Sequence, residues 1–102
     1  MNDPVGPDTR VTMSDHVHTR EFDGEVILLH LERGDYFALN DAGAAMWHQL
    51  AKGRSPAEVA SALAVSYEVS ESTLMRDCLE LVKDLLERGL VRGLEKAGGS
   101  GE

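Results

Sequence analysis

The chain has 102 residues, 42% hydrophobic and 27% charged, with a formal net charge of -8. That length suffices for one domain with one modest core. The acidic balance repels nucleic acid and anionic membrane surfaces, since phosphate binding needs Lys and Arg clustered on one face.

Residues 1–10 ("MNDPVGPDTR") carry prolines and acids without periodicity. They are expected to form a disordered tail, and with no apolar segment they do not read as a signal peptide. "EKAGGSGE", residues 95–102, is expected to form a second disordered tail. Residues 11–94 are the expected domain. Its longest apolar run, Val26 to Leu29, is far too short to span a bilayer. The single cysteine, Cys78, excludes an internal disulfide. These features fit a reducing cytoplasm.

The first half of the domain reads as β. Val17 to Phe22 alternates as a half-buried strand would. Asp23–Gly24 is a two-residue hairpin signal, because a type I′ turn needs φ > 0 at both central positions. Glu25 to Leu31 ("EVILLHL") follows, apolar on both faces. "ERGD", Glu32 to Asp35, turns around Gly34, and Tyr36 to Leu39 completes a three-stranded antiparallel meander.

The second half reads as helix. Helix one runs from about Asp41 to Ala51, with Gly53 as its stop. Helix two opens with Ser55 as cap, Pro56 in the first turn and Glu58 closing a capping box. Val59, Leu63 and Tyr67 share one of its faces. Ser70 caps helix three, which runs to about Arg88, and Gly89 suits the left-handed residue beyond its end. The fold class is α+β and winged-helix-like: a three-stranded antiparallel meander, then three helices, the last two joined as in a helix-turn-helix.

Candidate chemistry is sparse. His16 and His18 would point the same way from a strand, but with His30 and His48 they complete no metal-ligand spacing. All four are expected to face solvent. Cys78 has no histidine partner in sequence and lies in the apolar stripe of helix three, as a small buried hydrophobe would. Trp47, beside Met46, reads as a core anchor. No paired carboxylates, triad or phosphate loop support catalysis, so the chain is not read as an enzyme and no cofactor is expected.

Helix three carries Leu74, Met75, Cys78, Leu79, Leu81, Val82, Leu85 and Leu86. At 100° per residue these cover an arc of roughly 160°, wider than the stripe of about 100° that one core requires. Either the helix packs against both the sheet and helix one, or one edge of the arc lines a groove. The strand from Tyr36 to Leu39 would be the groove's other wall. It is an edge strand without charge or proline, and such an edge suits addition of an extended peptide, whose backbone bonds give affinity and whose side chains give specificity.

"GEVILLHLERGDYFALNDAGAAMWHQL" followed by "SPAEVASALAVSYEVSESTLMRDCLELVKDLLERGLV" resembles the PqqD-like family, the RiPP recognition elements. The match runs from about residue 17 to 92. It rests on the order and spacing of Leu39-Asn40 after an aromatic strand, Gly43 to Trp47, Asp77, and Gly89-Leu90-Val91. The resemblance implies a non-catalytic adaptor that binds the leader segment of a ribosomally made precursor peptide. The leader adds to the third strand and packs on the third helix. Carried over, the strand edge is Asp35, Tyr36, Phe37, Ala38 and Leu39, and the helical wall is Asp77, Glu80, Leu81 and Asp84. A chain of this length is most similar to the discrete leader-binding proteins of split lasso-peptide systems, whose partners are a transglutaminase-like leader peptidase and a cyclase. A PqqD-type peptide chaperone for a radical SAM enzyme in cofactor synthesis is the near alternative. A winged-helix DNA-binding regulator is the distant one: from Glu68 to Arg88, six acids (Glu68, Glu71, Asp77, Glu80, Asp84, Glu87) oppose three bases (Arg76, Lys83, Arg88), the wrong sign for phosphate.

Overall fold

The structure, a computed structural model, describes residues 5–93. The expected tail at 95–102 lies outside the described residues. Strand β1 (Val11–Met13) opens the fold, followed by β2 (Val17–Phe22), β3 (Glu25–His30) and β4 (Tyr36–Leu39). Helices α1 (Asp41–Ala51), α2 (Pro56–Tyr67) and α3 (Glu71–Glu87) come next, and β5 (Val91–Gly93) closes it.

The meander β2-β3-β4 is antiparallel throughout, with β3 in the centre. Asp23 (φ 55) and Gly24 (φ 81) are both left-handed, which matches the hairpin turn to the twist of its strands. Gly34 (φ 75) supplies the positive φ of the second turn. Val26, Leu28 and His30 of β3 point into the core, and Ile27 and Leu29 lie half-buried on the outer face. The strand ends at His30, and Leu31 is 54% exposed beyond it.

Strands β1 and β5 form a second, two-stranded antiparallel sheet, pairing Val11 with Gly93 and Met13 with Val91. The sequence does not announce it: three residues are too few to show a period of two, and the partners lie some 80 positions apart. Val11, Leu90 and Val91 are buried there, with β1 packed on α1 and β5 on α3. Residues 5–10 are not loose either. The Ala57 amide donates to the Pro7 carbonyl at 3.0 Å, and Arg10 Nη1 donates to the Gly53 carbonyl at 2.8 Å and to Glu58 at 2.7 Å.

Each helix starts where its cap permits. The Asn40 side chain accepts from the Gly43 amide at 2.9 Å. Ser55 Oγ accepts from Glu58 N, and Glu58 Oε1 accepts in return from Ser55 N, a complete capping box. Ser70 accepts from Thr73 N. Substituting such a cap costs about 1 kcal/mol. Glu58 also holds Arg10, and these bonds pull its carboxyl down to about 2. Gly89 (φ 72) ends α3 as its residue type suggests.

The core is one cluster shared by sheet and helices. Leu28, Leu50, Val59, Cys78, Val82 and Leu85 are fully buried. Each such aliphatic side chain contributes roughly 1.5–3 kcal/mol on leaving water. Trp47, 3% exposed, anchors α1 to it. On α2, Val59 and Leu63 are buried, whereas Tyr67 is 39% exposed at the helix end. α3 packs chiefly on α2 and also on β5 and α1, so its wide apolar arc is used mostly against a helix rather than the sheet.

Candidate functional site

The sheet places β4 at an edge, since β3 is its neighbour on one side and, among the described residues, no strand lies on the other. Which backbone groups face outward follows from the ladder. The His30 amide donates to the Asp35 carbonyl at 2.9 Å, across the end of the β3–β4 pair. Hydrogen-bonded and non-bonded pairs alternate along an antiparallel ladder. Leu28–Phe37 and Val26–Leu39 are therefore bonded pairs, and Tyr36 and Ala38, opposite Leu29 and Ile27, turn their N–H and C=O away from β3. No partner meets those groups among the described residues.

Side chains alternate with the backbone. Phe37 and Leu39 face inward, half-buried and 5% exposed respectively, while Tyr36 (68% exposed) and Ala38 face out. The strand thus offers free backbone bonds on its rim and an aromatic ring on its inner side.

Helix α3 presents a polar stripe beside its buried ridge. At 100° per residue Asp77, Leu81, Asp84 and Arg88 fall within an arc of about 60°. Leu81, half-buried, forms the border with the buried ridge of Leu74, Cys78, Val82 and Leu85. Arg88 fixes the direction of the stripe, because its guanidinium carbon lies 4.6 Å from the centroid of the Phe37 ring. The C-terminal end of the stripe therefore meets β4. Asp77 and Asp84 are exposed along it, and Glu80 stands further round, at its solvent rim. Asp35, at the start of the edge, is exposed and lies 3.6 Å from Arg33 Nε.

The structure thus places the expected edge (Asp35, Tyr36, Phe37, Ala38, Leu39) on and just before β4 and the expected wall (Asp77, Glu80, Leu81, Asp84) on α3, and the Arg88–Phe37 contact ties the end of that helix to the edge strand. It adds two arginines that the sequence does not single out. Arg88 is read there only as the end of helix three and one of its three bases, although it continues the Asp77–Leu81–Asp84 spacing by one turn. Arg33, in the turn before β4, donates from Nη1 to the Arg88 carbonyl at 2.9 Å. That contact joins residues 55 positions apart and leaves no local signature.

Other sequence candidates fall elsewhere. Cys78 is fully buried, and burial pushes its thiol up to about 12, so it is inert at neutral pH. The histidines do not all face solvent: His30 is 8% exposed, and its Nδ1 accepts from the Arg33 amide at 3.3 Å. Its place on the inner face of β3 buries it, and that bond satisfies one ring nitrogen. His16 precedes β2 in a turn, 3.4 Å from Glu32, so it does not share a strand face with His18. His48 lies 3.6 Å from Glu21. No group of metal-ligating side chains assembles among the described residues. No helix among them is long and apolar enough to cross a membrane. A shallow hollow of about 590 Å³ lies on α2, lined by Arg54, Ala57, Glu58, Ser61 and Ala62, with no residue from β4 or α3.

Two solved structures share this architecture. One is "TbiB1 in Complex with the TbiA(beta) Leader Peptide", 34% identical, with a TM-score of 0.75 over 83% of this chain and 99% of that one. The other is "Lasso peptide synthetase B1 complexed with the leader peptide", 32% identical, with a TM-score of 0.76 over 81% of this chain and 98% of that one. No curated protein matches the chain. The family model for coenzyme PQQ synthesis protein D (PqqD) matches residues 25–91. The chain therefore belongs to the PqqD family.

Proposed function

We propose that this protein is a non-catalytic adaptor for the leader segment of a ribosomally made precursor peptide. The leader adds as a strand to β4, and its inward side chains pack on the stripe of α3 that includes Leu81. The adaptor then delivers the precursor to a leader peptidase and cyclase of a lasso-peptide pathway. The observation that carries this reading is the open edge of β4, met by Arg88 at the end of α3, in a chain whose fold matches two structures solved with leader peptides.

The energetics say which part of the leader must do the work. Ordering a disordered segment costs about 2–5 kcal/mol. The outward groups of Tyr36 and Ala38 offer a few backbone bonds, each contributing roughly 0.5–1.5 kcal/mol net. Those terms nearly cancel. Apolar leader side chains must supply most of the affinity, at about 25 cal/mol per Å² removed from water. A dissociation constant of roughly 10 nM to 10 μM, or about -7 to -11 kcal/mol, is expected.

The test uses a candidate precursor, sought among the short reading frames that flank this protein's gene. Its leader, labelled with fluorescein, should bind with an affinity in that range by anisotropy and be recovered intact after prolonged incubation. Replacing one or two bulky apolar leader residues by alanine should abolish binding, while most polar positions tolerate the change. A flat alanine scan, or cleavage of the leader, overturns the reading. The family's description by coenzyme PQQ synthesis supports the second reading, a chaperone for a cofactor-precursor peptide. A neighbouring radical enzyme, in place of a peptidase and cyclase, would favour it.

A further inference from the structure

We propose that Arg88 is a specificity-determining residue that reads a carboxylate in the bound strand; this rests on the reading of β4 and α3 as the leader site. In a chain of net charge -8, the stripe of α3 runs from Asp77 through Asp84 and ends on a cation. The guanidinium of that cation is committed on one face only. It lies over the Phe37 ring, 4.6 Å from the centroid. A guanidinium carries five N–H donors in its plane, and stacking uses none of them. Among the described residues no carboxylate lies within 4.0 Å of Arg88, and its side chain donates no hydrogen bond. Its donors are therefore uncommitted, beside the inward ring of β4, the strand to which a leader would add.

The support around Arg88 is built to hold it there. Arg33 Nη1 donates to the Arg88 carbonyl at 2.9 Å, and Arg33 Nε lies 3.6 Å from Asp35, so the turn before β4 is tied to the end of α3. Gly89 leaves room for this tie, since a Cβ there would stand 3.0 Å from Arg33 Nη1. Stacked and backed in this way, the fork loses little freedom on binding, and it matches a carboxylate with two parallel N–H···O bonds. The acids further along α3 repel a carboxylate, so only one position of the leader can place one safely. Arg88 thereby fixes the register of the added strand as well as its charge.

The experiment walks a single glutamate through the leader segment of that candidate precursor, with its other acids made amides. Each peptide is measured by anisotropy against the wild-type protein, Arg88→Ala and Arg88→Lys. One glutamate position should bind wild type roughly three- to tenfold tighter than its glutamine counterpart. That advantage should vanish in Arg88→Ala and be partly kept in Arg88→Lys, which has charge but no fork. Circular dichroism should show all three proteins folded, since the Arg88 carbonyl that holds Arg33 is unchanged. If Arg88→Ala weakens every peptide equally, or none, Arg88 merely covers Phe37 and the proposal fails. If wild type binds no leader peptide at all, the leader-site reading itself fails, and the two failures are told apart by that control.

Discussion

Strands β2 and β4 flank the same central strand, yet the chain treats their free edges in opposite ways. The edge of β2 is partly covered at its start and charged along its length. Its first amide, at Val17, donates to the Ser14 carbonyl at 3.3 Å, and the Thr19 hydroxyl donates to Met13 Sδ at 3.4 Å. His18, Arg20 and Glu21 line its length, with Glu21 near His48. These are the devices by which proteins prevent unwanted pairing at a sheet edge. The edge of β4 has none of them: Tyr36, Phe37, Ala38 and Leu39 carry no charge, and no backbone partner meets its outward groups among the described residues. The domain thus blunts one edge and leaves the other open, as pairing with an added strand would require.

The largest expected effect comes from spoiling the wall proposed beside the open edge. Leu81→Asp places a charge on the border between the α3 stripe and the core. A charge there must either stay hydrated, excluding the leader's apolar anchors, or be buried at a cost of several kcal/mol. Leader binding should become undetectable while circular dichroism still reports a folded helical protein. Unchanged affinity in a calorimetric titration would show that the leader does not use this wall.

A pair of prolines puts the two edges in direct competition. Proline at a position whose N–H faces outward leaves the ladder to β3 intact and removes only a donor toward the edge. By the alternation of the ladder, Ala38 is such a position in β4. The same alternation, started from the Leu31 amide donating to His16, makes Glu21 such a position in β2. Ala38→Pro should cost about tenfold in leader affinity, from a lost hydrogen bond and the ring's bulk on the pairing edge. If the leader adds only to β4, Glu21→Pro should leave affinity within about twofold. Equal losses from both would erase the distinction between the edges.

What could be read from the sequence divides along a physical line. Local signals placed the meander and the helices: Asp23–Gly24 for the hairpin, Ser55-Pro56-Ala57-Glu58 for the start of α2, Ser70 and Gly89 for the ends of α3. Each acts through neighbours a few positions away, so the chain states it directly. The pairing of β1 with β5 depends on contacts across nearly the whole fold and has no local counterpart. His30 looks like any polar residue at a strand end, but the parity of β3 turns it inward onto the Arg33 amide. The candidate site shows the same split. Its proposed edge was legible as an uncharged strand, while its proposed wall came from the family resemblance, since the wide apolar arc is spent mostly on α2. The Arg33–Arg88–Phe37 contacts that tie the end of the wall to the edge were not legible, because they join a turn, a helix end and a strand.

The smallest expected effect concerns the acids of the wall, and it refines the contrast with Glu21. Asp84 and Asp77 are exposed on the stripe whose end meets β4, whereas Glu21 sits on the closed edge beside His48. Exposed charges at the rim of a binding surface act mainly on the rate of association, and salt screens them beyond about 10 Å at 0.1 M. Asp84→Ala should therefore weaken a leader carrying basic residues by about 1 kcal/mol or less, through slower association with an unchanged dissociation rate. The loss should fade at high salt, and Glu21→Ala should show none at any salt. Stopped-flow anisotropy at low and high sodium chloride separates the cases. A loss that persists at high salt and appears in the dissociation rate would mean that Asp84 touches the leader directly, as part of the site and not of its rim. Identical behaviour of Asp84→Ala and Glu21→Ala would mean that the charge on the wall is solvated like that on the closed edge, and that only its apolar border and Arg88 distinguish one side of the sheet from the other.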